Sequence, residues 1–354
     1  MLALAGIPLG FEFRFRDRSP EAPARQTGEL IVGDWEDEAL LARFLDGLDV
    51  VTCEFENVPE RLARHLADRV PVWPPPHALG TAQDRLIEKQ FFFGLRIPGP
   101  VFRAVSSASD LAGALQEVGV PAVLKTRRLG YDGKGQFVLR SPDDVPRAWQ
   151  AVAGAPSILE EFVPFDREVS LLAVRSAQGE TAFYPLVQNR HAGGILRESR
   201  APAPKCSPAM VRQAEDAGRR VLDELGYVGV LAIEFFVRDG QLLVNEMAPR
   251  VHNSGHWTIE GAATSQFENH VRAIAGLPLG STAPIGESCM LNLIGELPDA
   301  TGVLRVPGAH WHAYGKPARP GRKLGHVTVT APDREVLERR VEAIREALGW
   351  GPVA

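Results

Sequence analysis

The sequence predicts a multidomain α/β protein, and three observations carry that prediction. Short apolar strands alternate with amphipathic helices through the first hundred residues. A glycine-rich loop stands between two strands near the middle. A hairpin bearing two glutamates runs directly into a polar segment rich in His and Asn. Alternation of the first kind predicts a parallel sheet with crossover helices. The 354 residues exceed what one hydrophobic core usually serves, and with 45% hydrophobic and 23% charged residues the chain can fill two or three.

Taken in order, Met1 opens on a helical pattern with no strand before it and no cap. Glu29–Val32 and Asp49–Phe55 read as buried strands, and Glu36–Leu48 and Pro59–Arg69 as helices. Trp73-Pro-Pro-Pro76 is a stiff boundary. His77–Leu95 reads as one helix containing Asp84-Arg85-Leu86. Pro121–Lys125, Gln136–Arg140, Ser157–Val163 and Arg167–Val174 read as strands, and Pro208–Leu225 as a long amphipathic helix. Gly229–Met247 is a hairpin turning at Asp239-Gly240, and a βββα pattern ends in the helix Arg334–Leu348. That last helix carries an i,i+3 pair, Glu342/Arg345, read as a solvated face. The expected divisions are 1–76, 77–163, 164–284 and 285–354.

Composition excludes several classes. The formal charge is −5 with no Lys/Arg run, so a nucleic-acid footprint is missing. No apolar stretch reaches the roughly 18 residues that span a bilayer. Cys53, Cys206 and Cys289 form no CxxC pair, which fits a reducing cytoplasm better than a disulfide or zinc framework. The apolar start has no basic segment ahead of it, unlike a secretory signal. Among 39 basic residues only six are Lys: Lys89, Lys125, Lys134, Lys205, Lys316 and Lys323. A chain that otherwise writes Arg can place Lys where a compact ammonium is needed.

The loop Leu129-Gly-Tyr-Asp-Gly-Lys-Gly-Gln136 lies between strands, so it is neither a P-loop nor a Rossmann turn, which both need a helix behind the glycines. Its glycines let backbone N–H groups approach phosphate closely, and Lys125 and Lys134 add charge. The alternatives are a nucleotide lid and a plain hairpin tip. Glu234 and Glu246 flank the Asp239-Gly240 turn, and two carboxylates on paired strands suit a magnesium ion. A two-residue turn would pair Arg238 with Gln241 and set them on opposite faces. A three-residue turn with Gly240 left-handed pairs Val237 with Gln241, puts Glu234 opposite Val244, and leaves Glu246 its diagonal neighbour on the same face; this is the arrangement expected.

Ala248-Pro-Arg-Val-His-Asn-Ser-Gly-His-Trp257 follows at once. His252 and His256 at i,i+4 would bind a metal together only on a helix, which Pro249, Asn253 and Gly255 oppose. A small anion held by Arg250 fits the segment better. Lys316-Pro-Ala-Arg-Pro-Gly-Arg-Lys-Leu-Gly-His326 is a cationic turn, read as a phosphate clamp or a solvated hairpin. Cys53-Glu-Phe-Glu-Asn57 ends a strand of the parallel region, where α/β sheets place ligands, so Glu54 and Glu56 are candidates for substrate.

With these motifs in order, the chain resembles the ATP-grasp superfamily. Within it, the runs Cys53-Glu-Phe-Glu-Asn-Val, Asp84-Arg-Leu, Gly130–Gln136, Tyr227-Val-Gly-Val, Asn245–Trp257 and Arg319-Pro-Gly-Arg-Lys-Leu-Gly-His326 resemble the carboxyaminoimidazole ribonucleotide synthetases. The resemblance implies an ATP-grasp fold with an N-terminal Rossmann-like domain and a small β-rich C-terminal domain. That family begins with a further strand and glycine turn, so the first strand of the N-terminal domain is expected to be missing here, which keeps a nucleotide-binding protein without turnover as an alternative.

The resemblance assigns ATP to Arg85, Lys125, the loop Gly130, Tyr131, Asp132, Gly133, Lys134, Gly135 and Gln136, the hinge Glu160, Glu161, Phe162 and Val163, and to Glu168, His191, Asn245 and Glu246. It assigns magnesium, with manganese as an alternative ion, to Glu234 and Glu246. Catalysis on bicarbonate falls to Tyr131, Arg250 and His252. Aminoimidazole ribonucleotide falls to Glu54, Glu56, Asn253, Lys316, Arg322 and Lys323. A cytoplasmic homodimer acting in purine biosynthesis, with no nucleic-acid or membrane partner, is also implied. A sibling ligase activating another carboxylate, such as formate, is the other enzyme reading.

Overall fold

The computed structural model describes residues 1–130 and 135–351. The N-terminal region pairs its strands in parallel, but in two separate sheets. Arg14–Asp17 lies beside Glu29–Val32, and Val51–Thr52 beside Val72–Trp73. The strand expected over 49–55 is thus only two residues long. Leu2–Gly6 is helical with no side-chain cap at Met1, as the opening pattern predicts. A core of Ile31, Leu41, Phe44, Leu62, Leu66 and Leu79 joins these elements.

The rest of the described chain is built on two sheets. One has four strands, ordered Phe102–Val105, Ser157–Glu161, Ala122–Thr126, Gln136–Leu139. The other has nine, and it runs without a break from the hairpin Gly229–Arg238/Gln241–Ala248 to the C-terminal strands Glu287–Ile294, Ala309–Ala313 and Lys323–Ala331. The C-terminal βββα pattern therefore extends the central sheet. Its odd face packs Cys289, Leu291, Leu293, Val327 and Val329 on the helix Arg334–Ala347. Among the described residues no helix is long and apolar enough to cross a membrane.

Three expectations need correction. The helix drawn over 77–95 is two helices, Pro76–Ala82 and Arg85–Gly94. Asp84 divides them: its carboxylate accepts from the N–H groups of Leu86 and Ile87 and caps the second helix, while Arg127 and Arg128 bind its other side. The carboxylate hairpin has a two-residue turn, with Asp239 and Gly240 both at positive φ (51° and 74°) and Arg238 opposite Gln241. Parity is restored by a bulge: Phe235 faces Val244 and Glu234 faces Glu246, so Asn245 is the extra residue. The two glutamates share one face for this reason and not through a longer turn. Arg345 is buried and ion-paired with Glu198, so it does not share a solvated face with the exposed Glu342.

Candidate active site

A cavity of about 340 Å³ opens where the two sheets and the helix Arg85–Gly94 meet. From the four-stranded sheet come Lys125 and Gln136, and from the segment after the strand Ala122–Thr126 comes Gly130. From the nine-stranded sheet come Glu168, His191, Glu234, Asn245, Glu246 and Lys323, and the segment beyond the hairpin adds Arg250, His252 and Asn253. Arg85 enters from its helix and Glu56 from the N-terminal region. Tyr131, Asp132, Gly133 and Lys134 lie outside the described residues. Gly135, at φ +69°, packs where a Cβ would come within 2.7 Å of Thr126 Oγ1, so this position favours Gly on two counts.

Three sub-sites differ in charge. In the first, Lys125 Nζ donates to Glu160 Oε2 at 2.9 Å and Lys89 Nζ lies 3.4 Å from the same oxygen. Burial would raise the Glu160 carboxyl, yet Lys125 and Lys89 overcome it and hold it down to about 2. Lys89 also donates to the carbonyl of Asn245 at 2.5 Å, which clamps the bulged residue. Glu160 thus lies behind Lys125 and does not line the cavity. Glu161 accepts from Arg238 at 3.1 Å, also away from it, and Phe162 and Val163 follow the end of the strand.

In the second, Glu234 and Glu246 face each other across the hairpin. Burial, reinforced by the Glu246 charge, pushes the Glu234 carboxyl up to about 7. Arg85 Nη1 reaches Glu246 at 3.4 Å, and its Nη2 donates to the carbonyl of Gly130. Glu168 bonds His191 Nδ1 at 2.8 Å. Burial would lower that imidazole, but the Glu168 bond and the Glu234 charge raise it.

The third contains Arg250, His252 and Lys323. Both Nε and Nη2 of Arg250 donate to one oxygen of Glu56, at 3.0 and 2.6 Å. The N–H of Ser254 donates to His252 Nδ1, so the imidazole carries its proton on Nε2, 3.4 Å from Glu234. Burial, then the positive charges of Arg250 and Lys323, keep His252 neutral.

Three predicted substrate residues stand apart from this cavity. Glu54 accepts from the N–H of Leu2. Lys316 lies over the Tyr314 ring at 5.3 Å, and Arg322 donates to the carbonyl of Pro317 within its own turn. Lys323 is the member of the cationic turn that lines the cavity.

Comparison with known proteins bears on this arrangement. Residues 90–267 match the model of the ATP-grasp domain, 1–83 that of the ribonucleotide synthetase preATP-grasp domain, and 288–340 that of the phosphoribosylaminoimidazole carboxylase C-terminal domain. The N5-carboxyaminoimidazole ribonucleotide synthase of Pseudomonas aeruginosa is 54% identical over 350 residues, covering 98% of this chain and 96% of the relative. The chain belongs to the N5-carboxyaminoimidazole ribonucleotide synthase family. The solved family member from Thermus thermophilus superposes with a TM-score of 0.96 at 57% identity, covering 100% of this chain and 97% of the other. A member from Aspergillus clavatus, solved with ADP and 5-aminoimidazole ribonucleotide, is 30% identical with a TM-score of 0.89, covering 99% and 95%. The fold is accordingly the ATP-grasp fold, with the family's preATP-grasp and C-terminal domains at either end.

Several cavity residues of this family member escape a motif reading. Glu88 accepts from the N–H of Met247 at 2.7 Å, and burial next to Glu246 pushes its carboxyl up to about 8. Arg85, Glu88 and Lys89 stand at i, i+3 and i+4, so one helix face supplies all three. That spacing, and the scarcity of Lys, were the available signals. Phe165 and Phe236 stack at 4.8 Å on the cavity wall, and no sequence spacing connects them.

Proposed function

We propose that this cavity transfers the γ-phosphoryl group of ATP to bicarbonate and passes the activated carbon to aminoimidazole ribonucleotide. The product is N5-carboxyaminoimidazole ribonucleotide, the compound for which the family is named, made in purine biosynthesis. The observation that carries the reading is the convergence in one cavity of the Glu234/Glu246 pair, Lys125 with Arg85, and Arg250 with His252. The relative solved with ADP and the ribonucleotide supports both substrates.

Lys125 and Arg85 face the phosphate chain of ATP and spread its charge. The donor set fits a divalent cation: Glu234 faces Glu246, and burial together with the Glu246 charge pushes the carboxyl of Glu234 up. Glu234 and Glu246 would hold magnesium or manganese, which supplies charge neutralisation to the phosphates when bound. Arg250 orients bicarbonate, and His252 offers its Nε2 proton as a hydrogen bond to the developing carboxyphosphate. Attack of a bicarbonate oxygen on the γ-phosphorus forms the new P–O bond and releases ADP. Carboxyphosphate then splits to carbon dioxide and phosphate. The amine of the ribonucleotide attacks carbon dioxide and loses a proton, completing the carbamate.

The same reading gives the ribonucleotide phosphate to Lys316 and Arg322, with Lys323 between that phosphate and the reacting carbon. It takes the working form as a homodimer in the cytoplasm, and sedimentation measurements check the dimer. Arg322→Ala is expected to raise the half-saturating ribonucleotide concentration about ten- to a hundred-fold, the worth of one charged hydrogen bond. The half-saturating ATP concentration should stay as it was. A rise for ATP with none for the ribonucleotide would overturn this division of the site.

A further inference from the structure

A second polar cluster lies outside the cavity, between the segment Asn253–Gly255 and the C-terminal strands. Tyr314 Oη is 2.9 Å from His256 Nδ1 and 2.8 Å from His326 Nδ1. His326 is fully buried and stacked on His312 at 4.3 Å, and His312 Nε2 in turn reaches Glu260 at 2.7 Å. Nothing in the chemistry above uses these groups.

Donors and acceptors in the cluster can be assigned outward from a backbone carbonyl. Asn292 Nδ2 donates to the carbonyl of Leu196 and to Asn253 Oδ1, which fixes its amide. Asn292 Oδ1 therefore accepts from Asn253 Nδ2, which also points at His256 Nδ1 at 3.2 Å. His256 Nδ1 is then a bare acceptor. The Tyr314 hydroxyl donates to it and accepts from the Nδ1–H of His326. Burial holds both imidazoles well below their ordinary pKa, so each carries one proton, as this order requires.

The chain joins two functional places. Asn253 lines the cavity. Tyr314 roots the cationic turn: its N–H donates to the carbonyl of Leu324, closing the loop that holds Lys316, Arg322 and Lys323, and its ring lies under the Lys316 ammonium. We propose that Tyr314 is a positioning residue for the ribonucleotide phosphate, pinning the cationic turn to Asn253 through His256 and to the central sheet through His326. The proposal rests on the reading that this turn binds that phosphate. A hydroxyl shared by two imidazoles sets the height of the turn above the cavity more narrowly than ring packing alone, because hydrogen bonds are directional.

Tyr314→Phe keeps the ring, its packing and its contact with Lys316, and removes only the hydroxyl. The half-saturating ribonucleotide concentration should rise about ten-fold, with half-saturating ATP and the maximal rate within two-fold of the parent. Arg322→Ala is measured beside it. If Arg322→Ala raises the ribonucleotide requirement and Tyr314→Phe does not, the pin is wrong and the assignment of the turn stands. If neither raises it, the assignment itself falls. A rise in the ATP requirement equal to that for the ribonucleotide would make Tyr314 a general structural residue and end the proposal. Two variants at His326 repeat the test from the other end. His326→Asn keeps a donor near the Nδ1 position and should stay close to the parent, whereas His326→Leu should match Tyr314→Phe. Equal behaviour of these two variants would also overturn the pin.

Discussion

Glu160 and Glu234 are both strand glutamates taken out of water within one active-site region, and their carboxyls are driven in opposite directions. Two ammonium groups hold Glu160 down to about 2 against the pull of burial. Burial and a second carboxylate lift Glu234 to about 7. The protein completes the electrostatics of the first glutamate itself, while the second faces Glu246 and is suited to a cation from outside. Glu160 thus serves to fix Lys125, whereas Glu234 lines the cavity opposite Glu246.

The largest effect should come from breaking the Glu234/Glu246 side. Glu246→Gln removes one of two carboxylates and should lower magnesium-dependent ATP hydrolysis by on the order of a hundred-fold or more, with an unchanged circular dichroism spectrum. Turnover near that of the parent would remove the pair from the metal reading. On the compensated side, Lys89→Met leaves Glu160 with one partner in place of two and frees the carbonyl of Asn245. Stripping one partner from a buried ion cluster costs about 3 kcal/mol, read from urea unfolding. The double variant with Glu160→Gln should lose less than the two single losses summed; simple additivity would show that the cluster is not coupled.

His270 sharpens the comparison as a group that is buried without a charged partner. Its Nδ1 accepts from the N–H of Val230 and its Nε2 meets Thr52 Oγ1, joining the N-terminal region to the central sheet. Burial alone lowers it from 6.5 to about 4. A folded state with the lower pKa binds fewer protons, so this contribution is complete above about 6.5 and is lost as pH falls towards 4. The loss should amount to about 3 kcal/mol at 1.36 kcal/mol per pH unit. His270→Gln should flatten the stability curve over that window relative to the parent; identical curves would contradict the assignment.

Much of the site was legible because its motifs are local. The run Asn245–Trp257 delivers a metal candidate, an Arg that is a candidate for an anion and the neutral His252 within thirteen consecutive residues. What the sequence concealed depends on distant partners. Asp84 reads as a mid-helix residue until Arg127 and Arg128 approach it from the next sheet. The same-face relation of Glu234 and Glu246 was expected for the wrong reason. Turn chemistry favoured the two-residue form, and the bulge at Asn245, whose carbonyl accepts from the distant Lys89, restores the shared face. Arg345 looked solvated because its partner, Glu198, lies 147 positions away.

The unbroken nine-stranded sheet has a mechanical consequence. Glu234 and Lys323 sit on strands of one hydrogen-bonded ladder, so their separation is set by interstrand spacing, as marks on a ruler are. Lys125 belongs to the other sheet, and among the described residues no ladder joins the two. A widening of the cavity between its two sheets, for substrate entry or product release, falls along that seam. It would carry Lys125 away from Glu234 while the distance from Glu234 to Lys323 hardly changes. Distance measurements between spin labels, one pair across the seam and one along the ladder, would see the first vary with nucleotide and the second stay fixed.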